Sequence, residues 1–251
     1  SERMDTSFCW WGGVGEILLY DRDTPRWWMN VPSYQMALFG KCAPVGPVTH
    51  RLRQSCWSLW PSHPKAVEQI VAQNAVLRGY KDRPIQSVFI GRIRNGNQLM
   101  YRSHDWASVI TQFALQTDPS DSPNAYTQEK YLDALCNAKY GLVLRGNGTK
   151  SSRLMEYFAC GVVPLVARDI DMKSFLVPPV EGVHYLRVRT PEDAKDWMCK
   201  ITSDIWASMS AAGRNWWRTY ASAEGLFRLT WARIEQCRPY FNVGIPQSFQ
   251  F

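Results

Sequence analysis

No stretch of the 251 residues stays apolar over the roughly 20 positions that a membrane-crossing helix needs, and no signal peptide is visible. The seven cysteines (9, 42, 56, 136, 160, 199 and 237) include no C-x-x-C pair and no zinc spacing, which speaks against a zinc-ribbon or thioredoxin-like class. Odd in number and unclustered, they predict reduced thiols in a cytosol-like compartment. No internal repeat and no low-complexity tract occurs, which excludes solenoids and composition-driven disorder. Histidine is scarce, with four, and acidic residues are outnumbered 22 to 29, for a net charge of +7. What is present is ordinary globular material. It is 45% hydrophobic and 20% charged, enough for one large domain or two small ones. Twelve tryptophans suit core packing or stacking on sugar rings, and the positive charge attracts anions such as nucleotide diphosphates or nucleic acid.

The most informative stretch is residues 139–168. An apolar run from Tyr140 to Leu144 stops at the polar turn Arg145-Gly146-Asn147-Gly148-Thr149-Lys150, and a helical pattern runs on from Ser151 to Cys160. Gly161 is placed as its C′ residue, and Val162 to Val166 reads as the next strand. A strand–loop–helix–strand unit of this kind binds phosphorylated ligands at the helix N-terminus. Lys150 and Arg145 add positive charge there, and Gly148, Thr149, Ser151 and Ser152 supply backbone and hydroxyl donors. Arg153 and Glu156, at i and i+3, share a helix face. An arginine fork grips diphosphate oxygens, and a carboxylate beside it accepts from two ribose hydroxyls. The expectation is a nucleotide-diphosphate pocket with both side chains facing a crevice.

Arg145, Gly146, Ser151, Arg153, Glu156, Gly161, Pro164 and Val166 together resemble the donor-binding signature of exostosin-like glycosyltransferases. Ser87-Val88-Phe89-Ile90-Gly91-Arg92 is similar to that family's strand entering the donor domain, and the likeness covers residues 85–200. The resemblance implies an inverting, metal-independent enzyme of GT-B fold with a UDP-sugar donor. Relatives use xylose, galactose, glucuronic acid or N-acetylglucosamine, and a small lobe with a short cleft favours a pentose such as xylose. Many relatives are anchored in the Golgi, so the Golgi lumen is the alternative compartment if an anchor precedes this chain. A glycan on the sequon Asn147-Gly148-Thr149 would obstruct the phosphate loop, which argues for the cytosol.

The remaining chain completes an α/β reading. It has two Rossmann-type lobes with parallel sheets, a reduced first lobe over residues 1–82, a donor lobe over 83–251, and a helical C-terminus. Glu16 to Tyr20 reads as a strand ending at Asp21-Arg22-Asp23, and ligands gather at the carboxyl ends of such strands. Asp21 and Asp23 are therefore the candidate catalytic bases, with His50 behind them. Tyr34 to Phe39 reads as a second strand, and Lys41 to Pro61 as loop. A helix with Val67, Ile70, Val71 and Ala75 as its stripe begins at Pro64 and stops at Gly79. Ile85 to Ile90 is a buried strand that delivers Arg92 to the same crevice as Arg145. Ser103 to Gln116 reads as a helix with Trp106, Val109, Ile110 and Phe113 on one side. A second helix, capped by Thr127, turns Tyr131, Leu132, Leu135 and Cys136 inward. Gly182 to Val188 reads as a strand, Thr190-Pro191-Glu192-Asp193 opens a helix, and Trp216, Trp217, Tyr220, Phe227 and Trp231 are assigned to packing on the sheet.

These readings converge on an inverting glycosyltransferase that moves a sugar from a nucleotide diphosphate to a hydroxyl of a glycan acceptor, with no nucleic-acid partner. Three rivals stand beside it. Asp21-Arg22-Asp23 and Asp169-Ile170-Asp171 both fit the DxD of a metal-dependent GT-A transferase. A P-loop NTPase needs glycine immediately before the lysine and again five residues earlier, where Thr149 and Leu144 stand. A non-enzymatic carbohydrate- or nucleic-acid-binding module would use the same arginines and tryptophans, but these are spread rather than grouped.

Overall fold

The computed structural model describes residues 18–20, 52–54, 64–73, 77–92, 98, 101–102, 104–116, 128–145, 151–172, 175, 177–229 and 232. Two compact units divide the chain, one of residues 1–58, 174–177 and 223–251, the other of 59–173 and 178–222. In the first unit, strand β1 (Leu18–Tyr20) pairs in parallel with β2 (Leu52–Gln54), Leu18 facing Leu52. The second strand corrects the reading of Lys41 to Pro61 as all loop. Three residues with Arg53 in the middle carry no local pattern, so the partner strand alone makes them a strand. The expected strand from Tyr34 to Phe39 lies outside the described residues.

The second unit opens with helix α1 (Pro64–Gln73), whose Val67 and Val71 are buried. Strand β3 (Ile85–Arg92) comes next, then a 3-10 turn (His104–Ser108) and β4 (Gln112–Gln116). Helix α2 (Gln128–Cys136), β5 (Ala138–Val143), α3 (Ser152–Cys160), β6 (Val163–Ala167), β7 (Leu186–Val188), α4 (Pro191–Lys200) and α5 (Ser203–Tyr220) complete it. The five strands of this unit form one wholly parallel sheet in the order β4-β3-β5-β6-β7. Every residue of β6 is buried, as expected of a parallel strand covered on both faces. The fold class is thus α/β and Rossmann-like, as the alternation of elements predicts.

The region 103–116 corrects the helix expectation. Trp106 and Ile110 are buried as a helical stripe would have them, but Phe113 belongs to a strand and stacks on Phe89 of β3, ring centroids 5.3 Å apart. Gly182 to Val188 shortens to a turn leading into the three residues of β7. Trp216 and Trp217 are buried at 4% and 1% exposure, whereas Phe227 is 69% exposed and does not pack as assigned. Helix α1, placed by sequence in the segment 1–82, packs on α3, and the Arg214 guanidinium of α5 donates to its Val71 carbonyl at 3.1 Å. It therefore belongs with the second unit. No described helix is long and apolar enough to cross a membrane.

Two features set the position of α3. Tyr157 lies over Gly141 of β5, where a Cβ would come within 2.5 Å of the ring, and its hydroxyl reaches the carbonyls of Val88 (3.3 Å) and Leu142 (3.2 Å). At the other end Gly161 ends the helix in the left-handed region (φ 67°), its N–H on the Phe158 carbonyl at 3.1 Å. The Ser210 hydroxyl of α5 then donates to the Gly161 carbonyl at 2.5 Å. Arg83, 2% exposed, braces the same corner. Its guanidinium donates to the carbonyls of Ala138 (2.7 Å), Cys160 (2.8 Å) and Arg78 (3.4 Å) and lies 5.1 Å from the Trp206 ring centroid. Burial pushes the pKa of this guanidinium down to about 10.

Candidate functional site

The strand order locates the crevice. From β3 the chain first adds β4 on one side, then crosses to the other side for β5, β6 and β7. The topological switch therefore falls between β3 and β5, and ligands in open parallel sheets sit at the carboxyl ends flanking such a point. Arg92 is the last residue of β3, and Arg145 stands two residues beyond β5. The N-terminus of α3 follows at Ser152.

Arg145 is half-buried. Its Nη1 donates to the Tyr101 hydroxyl at 3.2 Å, its guanidinium carbon lies 4.5 Å from that ring's centroid, and its own carbonyl accepts from Arg102 Nε at 3.2 Å. Arg153, in the first turn of α3, reaches back over β3. Its Nη2 donates to the Ile90 carbonyl at 2.5 Å, and its guanidinium carbon lies 4.6 Å from the Phe89 ring centroid. Both arginines keep a buried Nε–H that has no hydrogen-bond partner among the described residues. A buried guanidinium donor without an acceptor is costly.

Glu156 lies one turn on and is 1% exposed. Its carboxylate accepts from the hydroxyl of Tyr131 on α2. The expectation of a carboxylate open to a crevice is corrected in that respect, because the phenol covers it. The surroundings are polar nonetheless. Tyr131 and Glu156 both bear on the Arg153 guanidinium. Burial lowers the proton affinity of Arg153, but Tyr131, Tyr157 and Glu156 outweigh it and raise the value overall. Burial first, then the neighbouring Glu156, pushes the Tyr131 phenol well above its ordinary range, so it stays a donor. By sequence Tyr131 belongs to the inward stripe of α2. Nothing local ties it to Glu156, 25 positions away, so no sequence signal marks it.

Ser151 stands at the N-cap of α3 with extended backbone (φ −133°, ψ 125°), and its side chain makes no capping bond. Ser152 begins the helix. Gly148, Thr149 and Lys150 lie outside the described residues, as do Asp21, Asp23 and His50; of Arg92 only the backbone position is described. Asp169 stands just beyond β6 with a buried Oδ2 that has no hydrogen-bond partner among the described residues, and Asp171 is half-buried. Among the described residues, no group of three or more His, Cys, Asp or Glu side chains could hold a metal ion.

No family model matches the chain, and no curated protein matches it. Among solved structures, the chain is similar to HepE of Anabaena in complex with UDP-glucose, at 10% identity and a TM-score of 0.44 over 76% of this chain. It is also similar to a glycosyltransferase from Rickettsia africae, at 10% identity and a TM-score of 0.40 over 77% of this chain. The chain spans 59% and 58% of the lengths of these two proteins.

Proposed function

We infer that the second unit binds a nucleotide-sugar donor and that the protein is an inverting, metal-independent glycosyltransferase. The observation that carries this reading is the pair of Nε–H donors of Arg145 and Arg153, without partners among the described residues, beside the switch point of a parallel sheet. A diphosphate bridging them would satisfy both and gain the positive end of α3. Gly148, Thr149, Lys150, Ser151 and Ser152 are proposed to line the phosphates together with Arg92, the last residue of β3. Glu156 would accept the ribose hydroxyls once the Tyr131 hydroxyl yields its place. The exostosin-like signature makes UDP the first nucleotide to try, and a pentose such as xylose the first sugar.

In the reaction, a base takes the proton of an acceptor hydroxyl. The oxygen attacks the anomeric carbon from the face opposite the diphosphate, and the bond to the leaving oxygen breaks. Negative charge grows on the departing diphosphate, where Arg145, Arg153 and Lys150 stabilise it. Asp21 or Asp23 is proposed as the base, acting on a glycan hydroxyl. Thermal unfolding with UDP, GDP, ADP or oligonucleotides, each with and without chelator, tests the reading. Stabilisation by UDP that survives chelator is expected, because a ligand bound only by the folded state raises Tm. Stabilisation by oligonucleotides alone overturns it, and loss of the UDP effect with chelator favours the DxD-dependent alternative.

A further inference from the structure

Helices α2 and α3 lie side by side, and two crosspieces join them. The first is Tyr131 to Glu156. The second stands one turn further along both helices, where Cys136 ends α2 and Cys160 ends α3. There the Cys160 thiol stands beside that of Cys136 and lowers its proton affinity. Both cysteines line one cavity of about 20 Å³ with Arg78, Arg83 and Arg214, room for one or two water-sized groups. Cys160 is buried and Cys136 half-buried, so an oxidant from solvent meets Cys136 first.

We propose that Cys136 and Cys160 are a peroxide-sensitive thiol pair, Cys136 reacting with a hydroperoxide and Cys160 resolving it to a disulfide. The Cys136 thiolate attacks one peroxide oxygen, the O–O bond breaks, and the other oxygen leaves as hydroxide or alkoxide, which takes the thiol's proton to become water or alcohol. The resulting sulfenic acid is attacked by the Cys160 sulfur. An S–S bond forms, the S–O bond breaks, and a second water leaves with the Cys160 proton, so two thiols are oxidised and one peroxide is reduced. The setting favours the first step. The neighbouring Cys160 thiol lowers the proton affinity of Cys136 against burial and Asp133, and Arg83 and Arg78 add to it. Cys160 has its proton affinity raised by Cys136 and by burial, so Cys136 is the thiol that reacts first.

The inference stands apart from the nucleotide reading. The exposed Cys199 on α4 serves as an internal control, since access alone would favour it. Intact protein is treated with hydrogen peroxide, the remaining thiols are alkylated, and peptides are mapped without reduction. A linked peptide pair containing Cys136 and Cys160 is expected, formed several-fold faster than oxidation of Cys199 and reversed by dithiothreitol. It should persist in Cys199→Ser and vanish in Cys136→Ser and Cys160→Ser. Mapping the wild type decides the matter even if those two variants fold poorly. Oxidation confined to Cys199, sulfinic acid at Cys136 with no linked pair, or Cys136 joined to any of the other five cysteines would overturn it.

Discussion

The Tyr131 hydroxyl donates to Glu156 across the seam between α2 and α3, so one phenol both shields and satisfies a buried carboxylate. Replacing it with phenylalanine removes one donor from a buried charged acceptor, a loss of about 1–3 kcal/mol. Tyr131→Phe is expected to lower stability in urea unfolding by that amount. If the carboxylate receives a ribose, UDP should raise the Tm of this variant more than that of the wild type, because no hydroxyl has to be displaced.

Arg153 and Glu156 share the first turns of α3, and the proposed diphosphate and ribose contacts are charge-assisted. Titration calorimetry should show UDP affinity reduced about ten- to hundredfold in Arg153→Ala, as expected for the loss of roughly 1.5–3 kcal/mol. Glu156→Ala should lose less. Undiminished affinity in both variants would refute the pocket.

Gly141 lies under the Tyr157 ring with no space for a side chain. Gly141→Ala forces that ring off β5 and disturbs its bonds to the Val88 and Leu142 carbonyls. Overpacking of this kind costs about 1–3 kcal/mol, with more expected here because the ring is tied to backbone at its far end. Chemical denaturation measures the loss, and the double variant Gly141→Ala with Tyr157→Phe should not restore it, since the clash is with the ring.

Arg83 holds three carbonyls at the corner where α3 ends. Arg83→Met keeps an unbranched stem and removes the donors, leaving the buried carbonyls of Ala138 and Cys160 short of partners. A loss of about 3 kcal/mol is expected from roughly 1–3 kcal/mol for each. An unchanged denaturation midpoint would show that other donors replace it.

His184 accepts from the Val180 N–H through Nδ1 at 2.8 Å, a bond that only the neutral ring can make. Burial lowers its proton affinity below the ordinary value of 6.5. A depressed value means that the unfolded chain binds the proton more readily, so the contribution is present above about pH 6.5 and fades as pH falls through the folded value. Tm should fall more between pH 7 and pH 5 in the wild type than in His184→Gln; equal slopes would show that His184 contributes nothing to the pH dependence.

The unit β5-α3-β6 is legible in sequence because its signals are local. An apolar run ends at a polar turn, and Gly161 and Pro164 punctuate the passage from helix to strand. Arg153 and Glu156 are paired by helix spacing alone. The strand β4 is not legible, because Trp106, Val109, Ile110 and Phe113 recur at helical intervals while the decisive contact, Phe113 on Phe89, comes from a distant strand. Tyr131 escapes for the same reason, since its role arises only when α2 is laid beside α3. The short β2 depends wholly on β1.

Every neighbour in the five-stranded sheet is parallel, so no pairing can begin as a hairpin. Each strand must wait for a crossover segment to close before it finds its register, which makes nucleation entropically expensive and refolding slow. During that interval unpaired strand edges stay exposed, and dilution of the denatured chain at high concentration should yield aggregates in competition with the native state.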